Sequence, residues 1–505
     1  MNGLNIEEPL DLEVTDFGPI VEAKIDLRPL TVFVGPSNTG KSYLAILIYA
    51  LHRVFSGDEM WRSSRHFASR HRMLRRNRSK NLSQKAITAI WELLDKLVAD
   101  KNRLKSGGNF VLHPPVLDAI HSAYAVSGNQ LGNEFDRCYG IDAGTLIRKG
   151  SRKGTRLAFR KPLSNDSAPI EYELEIRANN IEYGMTIPQD ASIQIDVEKG
   201  NMLMENFLFD SNELVAMGRQ GSEERHEIAW YLMDALCDLA WPQLTGPLYR
   251  PAFYLPADRT GVMHAHRVVV SAMIGSARMT GLRPTGQTPM LSGVLADFLQ
   301  QLIDIDHPPS GRRKKQGDLG SSIEESILGG SVRVDRSEMI DYPHFTYKPR
   351  GWKEPLHLMN ASSMVSELAP VVLYLRHVVE RGNLLIVEEP ESHLHPAMQV
   401  EFTRQLALLV QKGVRVIITT HSEWILEELA NVVRRSELPD TRRQEVSQGN
   451  YSLSSDQVGV WLFKPQLKPK GSLVEEIPID DSGLYPSGFE VVATALHNDW
   501  AEISR

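Results

Sequence analysis

Cysteine is scarce in this sequence, and long apolar runs are absent from it. The 505 residues include two cysteines, Cys138 and Cys237, which lie far apart and have no C-x-x-C companion. This spacing excludes a cysteine zinc site and argues against a disulfide framework. No apolar run reaches the length of about 18 residues that a membrane span requires, and residues 1–9 are polar and acidic. We therefore expect neither a transmembrane helix nor a signal peptide, no membrane partner, and a cytoplasmic location.

Positive charge is also limited, and it is unevenly distributed. The formal net charge is −7, so the protein as a whole is not an electrostatic binder of nucleic acid. The stretch from Arg62 to Lys80 nevertheless carries many basic residues and no acidic one, and residues 312–315 form a smaller basic cluster. Such stretches are either solvated surface segments or contacts with the phosphates of a nucleic acid. The sequence leaves both interpretations open.

Residues 35–42 fit the phosphate-binding pattern G-x-x-x-x-G-K-[ST]. In this pattern backbone N–H groups surround the phosphates of a nucleotide, the lysine reaches the β- and γ-phosphates, and the hydroxyl ligates Mg²⁺. Residues 30–34 predict a buried strand and residues 43–55 a helix, so a helix N-terminus would face the anion. We therefore expect a nucleotide site with Mg²⁺ on Ser42. The residues expected to bind the nucleotide are Gly35, Pro36, Ser37, Asn38, Thr39, Gly40, Lys41 and Ser42.

Two adjacent glutamates supply the acidic groups that nucleotide hydrolysis requires. Residues 384–387 are apolar and predict a buried parallel strand, and Glu388 and Glu389 follow directly. Open α/β sheets place their ligands at the carboxyl ends of such strands. We expect Glu388 to hold the Mg²⁺ ion, and Glu389 to orient or deprotonate the attacking water.

A histidine follows a third apolar segment. Residues 414–418 predict another buried strand, His421 stands just after it, and a helical pattern begins close behind. A single histidine is often a packed or surface residue, but this one would lie beside the two glutamates. We expect His421 to contact the γ-phosphate or the attacking water, and we count it with Lys41 and Glu389 as catalytic.

Taken together, these segments resemble the ABC-type ATPases of the SMC, RecF and overcoming-lysogenization-defect (OLD) clade. The sequence Glu-Glu-Pro-Glu-Ser-His-Leu-His-Pro at residues 388–396 is especially close to the OLD-like branch. The resemblance implies ATP and Mg²⁺ as cofactors. It also implies that Glu389 is the catalytic glutamate and that His421 is the switch histidine.

The resemblance implies a site shared by two copies of the chain. Residues 360–368 look like the family's signature motif, and the apolar residues that follow predict a helix from Leu368 to Val379. Ser362 and Ser363 would therefore meet the γ-phosphate held by a second copy, although Met364 stands where the family has glycine. Residues 391–395 would lie on the dimer face. In the place of the family's Q-loop glutamine, we expect Asp258 or Arg259. The implied assembly is a homo-oligomer, either a dimer or a multiple of dimers.

The expected fold class is α/β, an ABC-type P-loop NTPase with an antiparallel β lobe and helical insertions. Period-two patterns after Ile170 predict a small antiparallel sheet. The expected domains are an ATPase N-terminal lobe (1–57), a mainly helical basic insertion (58–165), a β-rich part of the ATPase lobe (166–261), a helical insertion with a basic linker (262–320), an ATPase C-terminal lobe (321–463) and a C-terminal extension (464–505).

Several function classes are disfavoured. A transporter subunit would place its signature close to the phosphate loop, whereas Ser362 is far from Lys41 in this sequence. The stretch after His421 is short and has no D-x-D array, so we expect no Toprim nuclease domain. No heptad pattern indicates the coiled coil of a true SMC protein.

The remaining resemblance is to ATPase subunits of Septu-type and PARIS-type phage-defence systems. It implies an ATP-gated sensor and scaffold that controls a separately encoded effector protein, commonly a nuclease. The first alternative is a RecF-like repair ATPase that grips DNA through the basic stretch from Arg62 to Lys80 and through residues 312–315. A housekeeping ATPase with no role on nucleic acid is the second alternative.

Overall fold

The structure is a computed structural model, and the part of the chain that it describes is interrupted. The described residues are 10–56, 83–100, 104, 108–124, 128–162, 168–178, 180–197, 222–264, 291–305, 319–337, 340–439, 451–479, 484, 494, 497–498, 500 and 503. The basic stretch from Arg62 to Lys80, the basic residues 312–315 and most of the helical insertion expected at 262–320 lie outside these residues.

The described residues form sixteen strands and nine longer helices. The strands are β1 (Leu10–Phe17), β2 (Ile20–Leu27), β3 (Leu30–Val34), β4 (Gly108–Leu112), β5 (Thr155–Lys161), β6 (Ile170–Arg177), β7 (Asn180–Thr186), β8 (Ile193–Val197), β9 (Ala252–Leu255), β10 (Gly330–Ser337), β11 (Ile340–Pro349), β12 (Leu356–His357), β13 (Leu384–Glu388), β14 (Arg415–Thr420), β15 (Val458–Leu467) and β16 (Lys470–Glu476). The longer helices are α1 (Lys41–Ser56), α2 (Gln84–Ala99), α3 (Pro114–Tyr124), α4 (Gly128–Tyr139), α5 (Ser222–Thr245), α6 (Gly293–Asp304), α7 (Ser363–His377), α8 (Pro396–Gln411) and α9 (Glu423–Glu437).

A parallel core forms one end of an 11-stranded sheet with the order β7-β6-β5-β1-β2-β16-β15-β3-β14-β13-β9. Strands β15, β3, β14, β13 and β9 are parallel to one another, and Val34 of β3 is paired with Thr420 of β14. Strands β3, β13 and β14 are buried along their whole length. Their near-continuous apolar sequence is typical of strands that are covered on both faces. The carboxyl ends of these strands therefore share one edge of the sheet.

Helices cover both faces of this core. On one face, α1, α2 and α5 pack with Phe33, Ile386 and Ile417 in a single cluster of buried residues. On the other face, α7, α8 and α9 pack with Val32, Val387 and Ile418. Neighbouring residues of each strand thus point to opposite faces, as the pleat requires. Among the described residues, no helix has the combination of length and apolarity needed to cross a membrane.

An antiparallel lobe continues the sheet on one side. Strands β1 and β2 form a hairpin, and β5, β6 and β7 extend it next to β1. Strand β16 joins this lobe to the core, because it is antiparallel to β15 and parallel to β2. The expected fold class, an α/β P-loop NTPase of ABC type with an antiparallel β lobe and helical insertions, is confirmed.

Several elements differ from what the local patterns predicted. Strand β5 lies within residues 58–165, where mainly helices were expected, and its alternation of buried residues fits it between β1 and β6. The small separate sheet expected after Ile170 divides, because β6 and β7 extend the main sheet while β8 pairs with β4. Helix α7 begins at Ser363 and not at Leu368, because the Ser362 side chain caps it.

Candidate active site

The loop between β3 and α1 has the backbone of a phosphate cradle. Gly35 has a φ of 141°, Asn38 of 63° and Gly40 of 104°, all in the left-handed half of conformational space. A Cβ atom on Gly35 would lie 2.6 Å from the carbonyl oxygen of Phe463, and one on Gly40 would lie 2.8 Å from the Ile20 side chain. Both the backbone conformation and the close neighbours therefore require glycine at these two positions.

The remaining loop residues divide into exposed and buried positions. Pro36, Ser37 and Asn38 are exposed, whereas Thr39 is buried and its hydroxyl donates a 2.8 Å hydrogen bond to the Pro36 carbonyl oxygen. Ser42 is exposed in the first turn of α1. Its hydroxyl is therefore accessible to a ligand held by the cradle.

Lys41 lies inside the cradle, with only 6% of its surface exposed. Its Nζ donates 2.8 Å hydrogen bonds to the carbonyl oxygens of Gly35 and Pro36. Burial lowers the pKa of this ammonium to about 8, and the negative charges of Glu389, Glu391 and Glu388 oppose that shift. A bound anion would favour the charged form of this ammonium and would raise its pKa again.

Glu388 ends β13 with its carboxylate buried. Its Oε2 accepts a 3.2 Å hydrogen bond from the Ala257 N–H, and its Oε1 has no hydrogen-bond partner among the described residues. A buried carboxylate oxygen without a donor is unfavourable unless a cation satisfies it. Together with the Ser42 hydroxyl, this oxygen offers the hard donors that Mg²⁺ prefers, so the residues fit that ion.

No cluster within the described ranges could hold a metal by itself. Groups of three or more His, Cys, Asp or Glu side chains with suitable geometry do not occur there. This composition is compatible with Mg²⁺, which is usually bound by one or two protein carboxylates together with substrate phosphates and water.

Glu389 has a left-handed backbone and a partly exposed carboxylate. Its φ is 42°, which is uncommon for a residue other than glycine, and its N–H donates to the carbonyl oxygen of Thr419 at 2.9 Å. Its side chain is 42% exposed, and its Oε1 lies 3.4 Å from Nε2 of His421. Left-handed non-glycine residues cluster at functional sites, and this one presents a carboxylate at the edge of the cradle.

The surroundings of His421 favour its neutral form. Burial lowers its pKa, the positive charge of Lys41 lowers it further, and Glu389 acts in the opposite direction. A neutral imidazole has one N–H donor and one acceptor nitrogen. The side chain can therefore link a carboxylate to a second polar group.

Glu391 contributes to the site in a way that the sequence did not predict. Its Oε1 accepts hydrogen bonds from the His421 N–H at 2.6 Å and from the Thr420 hydroxyl at 2.9 Å. Burial raises the pKa of this carboxyl. It was expected on the dimer face with residues 391–395, but its carboxylate points inward and fixes the backbone that carries His421. The neighbouring His393 and His395 are exposed.

The candidate signature serines lie at the start of a long helix. The Ser362 hydroxyl caps α7 by accepting a 3.4 Å hydrogen bond from the Val365 N–H, and Ser363 is the first helical residue. Both serines are exposed. In the described part of the chain, no hydrogen bond or ion pair joins them to Lys41, whereas the charges of Glu388 and Glu389 act directly on that lysine.

The two residues proposed for the Q-loop position differ in their surroundings. Asp258 is exposed, so it is free to approach a ligand. Arg259 is fully buried, and its guanidinium contacts backbone carbonyls and Glu367. The expectation that Arg259 would face the nucleotide is therefore wrong, because no part of its side chain reaches the surface.

One family model matches part of the chain. Residues 300–426 match the family model described as an AAA ATPase domain, and this range contains both serines, both glutamates and His421. A search of curated protein sequences gave no match.

The chain is also similar to three solved SMC head domains. One is bound to the C-winged helix domain of ScpA, with 12% identity, a TM-score of 0.40, and coverage of 94% of this chain and 99% of that chain. The head domain from Thermotoga maritima has 10% identity, a TM-score of 0.35, and coverage of 93% and 99%. The head domain from Pyrococcus furiosus, with an extended coiled coil and bound to a ScpA domain, has 12% identity, a TM-score of 0.37, and coverage of 99% and 100%.

These TM-scores are low, so the fold is assigned from the strand order and the loop geometry given above. The match over residues 300–426 includes Glu388 and Glu389, and the cradle at residues 35–42 lies outside it. The chain therefore combines a segment similar to an AAA ATPase domain with a loop that has the backbone of a phosphate cradle.

Proposed function

We propose that this protein hydrolyses ATP with Mg²⁺ and that two copies close around the nucleotide. The observation that carries the proposal is the meeting of Lys41, Glu388 and Glu389 at one edge of the sheet, where both carboxylates act on the charge of the lysine. Phosphoryl transfer requires a cradle for the phosphates, a carboxylate for the metal, and a group that orients the attacking water. In this arrangement Lys41 belongs to the cradle, Glu388 is the carboxylate for the metal, and Glu389 is the group that orients the water.

Each side chain has a distinct role in the proposed reaction. Lys41 and the loop N–H groups bind the phosphate oxygens, and Ser42 with Glu388 would hold Mg²⁺. When bound, that ion neutralises charge on the β- and γ-phosphates. Glu389 accepts a proton of the attacking water at Oε1, and the neutral His421 holds this carboxylate in place through Nε2, 3.4 Å away.

The second copy would contribute the start of α7. Ser362 and Ser363 are exposed at a helix N-terminus, which favours an anion such as a γ-phosphate. If ATP binds the closed dimer more tightly than the open monomer, it shifts the population toward the dimer by that difference in affinity. Nucleotide binding would then act as a switch.

We further propose that this switch controls a separately encoded effector protein, commonly a nuclease, in antiviral defence. The support is the close match of residues 388–396 to the OLD-like pattern and the resemblance to Septu-type and PARIS-type ATPase subunits. In this proposal the antiparallel lobe and the helical insertions are the surfaces that contact the effector. The protein acts as a sensor and scaffold.

The basic activity can be tested with one matched pair of variants. ATP binding is measured by titration calorimetry, and phosphate release with Mg²⁺ or with a chelator, for wild type, Lys41→Ala and Lys24→Ala. Lys24 is an exposed lysine on β2 paired with Glu22, so its loss should change neither quantity. We expect Lys41→Ala to lose ATP binding and turnover. Equal turnover by Lys41→Ala and wild type would overturn the proposal.

A further inference from the structure

One buried arginine holds the backbone of both candidate catalytic glutamates. Arg259 is fully buried, in the segment that follows β9. Its Nη1 donates hydrogen bonds to the carbonyl oxygens of Pro256 at 3.0 Å and Glu388 at 2.5 Å, and its Nη2 donates to the carbonyl oxygen of Glu389 at 3.2 Å. A guanidinium presents its donors in a fixed planar fork. The direction of these carbonyls is therefore fixed relative to Arg259.

The same guanidinium is paired with a glutamate of α7. Nη2 of Arg259 lies 2.5 Å from Oε1 of Glu367, which is 1% exposed, and Nε donates to the carbonyl oxygen of Glu367 at 3.2 Å. The hydroxyl of Thr260 donates to Oε2 of Glu367. Two consecutive residues thus anchor one helical residue by its carboxylate and its backbone.

This pair connects the two halves of the proposed dimeric site. Glu367 lies one turn into α7, the helix that begins at Ser363 with the exposed Ser362 as its cap. At the other end of the connection, Arg259 donates to the carbonyl oxygen of Glu389, whose backbone is left-handed. Separating a buried ion pair is costly, because each partner is then left as an uncompensated buried charge. A displacement of the helix start would therefore move the carbonyl of Glu389.

We propose that Arg259 is a positioning residue that couples the signature end of α7 to the catalytic Glu389. The inference rests on the proposed function, because the signature end is engaged only when a second copy presents its nucleotide. In a single copy of the chain, the Arg259–Glu367 ion pair holds the backbone of Glu389 in the direction seen in the structure. When α7 contacts a γ-phosphate in trans, the helix carries Glu367 and Arg259 with it, and Glu389 is aligned with the attacking water.

The test uses mild substitutions and a matched control at a second ion pair of α7. Glu367→Gln and Thr260→Val keep the shape of the link but weaken it. Glu324→Gln is the control, because Glu324 forms a 2.6 Å ion pair with Arg376 at the other end of α7. Stability to heat, the Kd for ATP, kcat and KM are measured for all of them. Backbone hydrogen exchange at residues 384–389 is followed with and without a non-hydrolysable ATP analogue.

We expect the substitutions at the Arg259–Glu367 ion pair to reduce turnover without weakening ATP binding. Glu367→Gln and Thr260→Val should lower kcat by about 10- to 100-fold, as small misplacements of a catalytic group do, while the Kd for ATP stays within about twofold. ATP-dependent protection of residues 384–389 should be lost in Glu367→Gln and retained in Glu324→Gln. The control should lose stability but keep kcat.

Two outcomes overturn the inference and can be told apart. If wild type hydrolyses ATP but Glu367→Gln and Glu324→Gln change kcat equally, Arg259 and Glu367 only stabilise the fold, and the proposed ATPase remains. If wild type does not hydrolyse ATP, the proposed function fails, and the coupling fails with it.

Discussion

Nε2 of His421 lies 3.4 Å from Oε1 of Glu389, and the two side chains come from the ends of neighbouring parallel strands. Glu391 holds the backbone of His421 through its N–H, and Arg259 holds the backbone of Glu389 through its carbonyl. Two buried side chains thus fix the positions of the two polar groups at the edge of the cradle. Pre-organised groups need little rearrangement at the moment of reaction.

The substitution Glu389→Gln should separate ATP binding from hydrolysis. The amide has nearly the same shape as the carboxylate but cannot accept a proton, and general-base contributions amount to about 10²- to 10⁴-fold. Phosphate release should fall by such a factor while the Kd for ATP is retained. Light scattering should then detect an ATP-dependent dimer that accumulates because it is not hydrolysed.

The control for Glu389→Gln is Glu22→Gln, a substitution of a half-exposed glutamate on β2. It should hydrolyse ATP at the wild-type rate. Normal turnover by Glu389→Gln would remove this residue from the reaction, and a monomer in the presence of ATP would argue against closure around the nucleotide.

ATP binding should be accompanied by proton uptake at alkaline pH. The pKa of Lys41 is lowered to about 8 by burial, so most of this side chain is neutral at about pH 9. A bound polyphosphate favours the charged ammonium and raises its pKa, so the complex binds a proton that the free protein lacked. Calorimetric titrations in buffers of different ionisation enthalpy measure this uptake.

Lys41→Arg is the matched variant for the proton measurement. A guanidinium stays protonated at that pH, so its binding enthalpy should not depend on the buffer. Uptake should also disappear for wild type well below the lowered pKa, because Lys41 is already charged there. The same buffer dependence in wild type and Lys41→Arg would assign the proton to another group.

The cradle should not tolerate a methyl group at its first glycine. In Gly35→Ala the new Cβ would meet the Phe463 carbonyl oxygen at 2.6 Å while the backbone keeps a φ of 141°. Strain of this kind costs about 1–3 kcal/mol, and relief by moving β15 would distort the loop. We expect a lower free energy of unfolding in denaturant titrations and weaker ATP binding.

Gly184→Ala in β7 is the control for the cradle variant. A Cβ at that position meets nothing within 4 Å, and no unusual φ is required. Its free energy of unfolding should stay close to that of wild type. Equal stability of Gly35→Ala and Gly184→Ala would show that the contact with Phe463 is not as close in solution.

More of the candidate site than of the surrounding fold could be predicted from the sequence. Gly35, Lys41 and Glu388 stand in short local patterns, and each pattern carries its own strand and turn. The roles of Arg259 and Glu391 depend on partners that are remote in sequence, such as Glu367 and the His421 N–H. Nothing in the local sequence says whether such a charged side chain points to the ligand or away from it.

The fold, too, was predicted where the sequence pattern is local and missed where contacts between distant residues decide the structure. The strand before the cradle and the strand before Glu388 were predicted at their observed positions, because both are short, apolar and bounded by turn residues. Strand β5 was missed since its place is decided by pairing with β1, which is distant in the chain. Helix α7 was started too late because the capping role of Ser362 was not recognised.

Reversing the charge of the basic stretch distinguishes the sensor from a DNA-binding repair ATPase. Arg72, Arg75 and Arg76 lie outside the described residues, in the stretch from Arg62 to Lys80. For a sensor that acts through a protein effector, changing all three to Glu should leave basal ATP hydrolysis unchanged, and duplex DNA should not stimulate wild type. Stimulation by DNA that is lost in the triple variant and weakens steeply with salt would favour the repair ATPase.

A mixing experiment tests whether one site is built from two copies. Lys41→Ala removes the cradle lysine, and Ser363→Glu places a carboxylate at the start of α7, where it would repel a γ-phosphate. Each variant alone should be inactive. In a mixed dimer, the intact Lys41 of one copy faces the intact Ser363 of the other, so one complete site forms and phosphate release should return. Differently tagged copies, purified together, establish that mixed dimers are present. If such dimers stay inactive, or if Ser363→Glu alone hydrolyses ATP normally, the serines of α7 do not serve a neighbour's cradle.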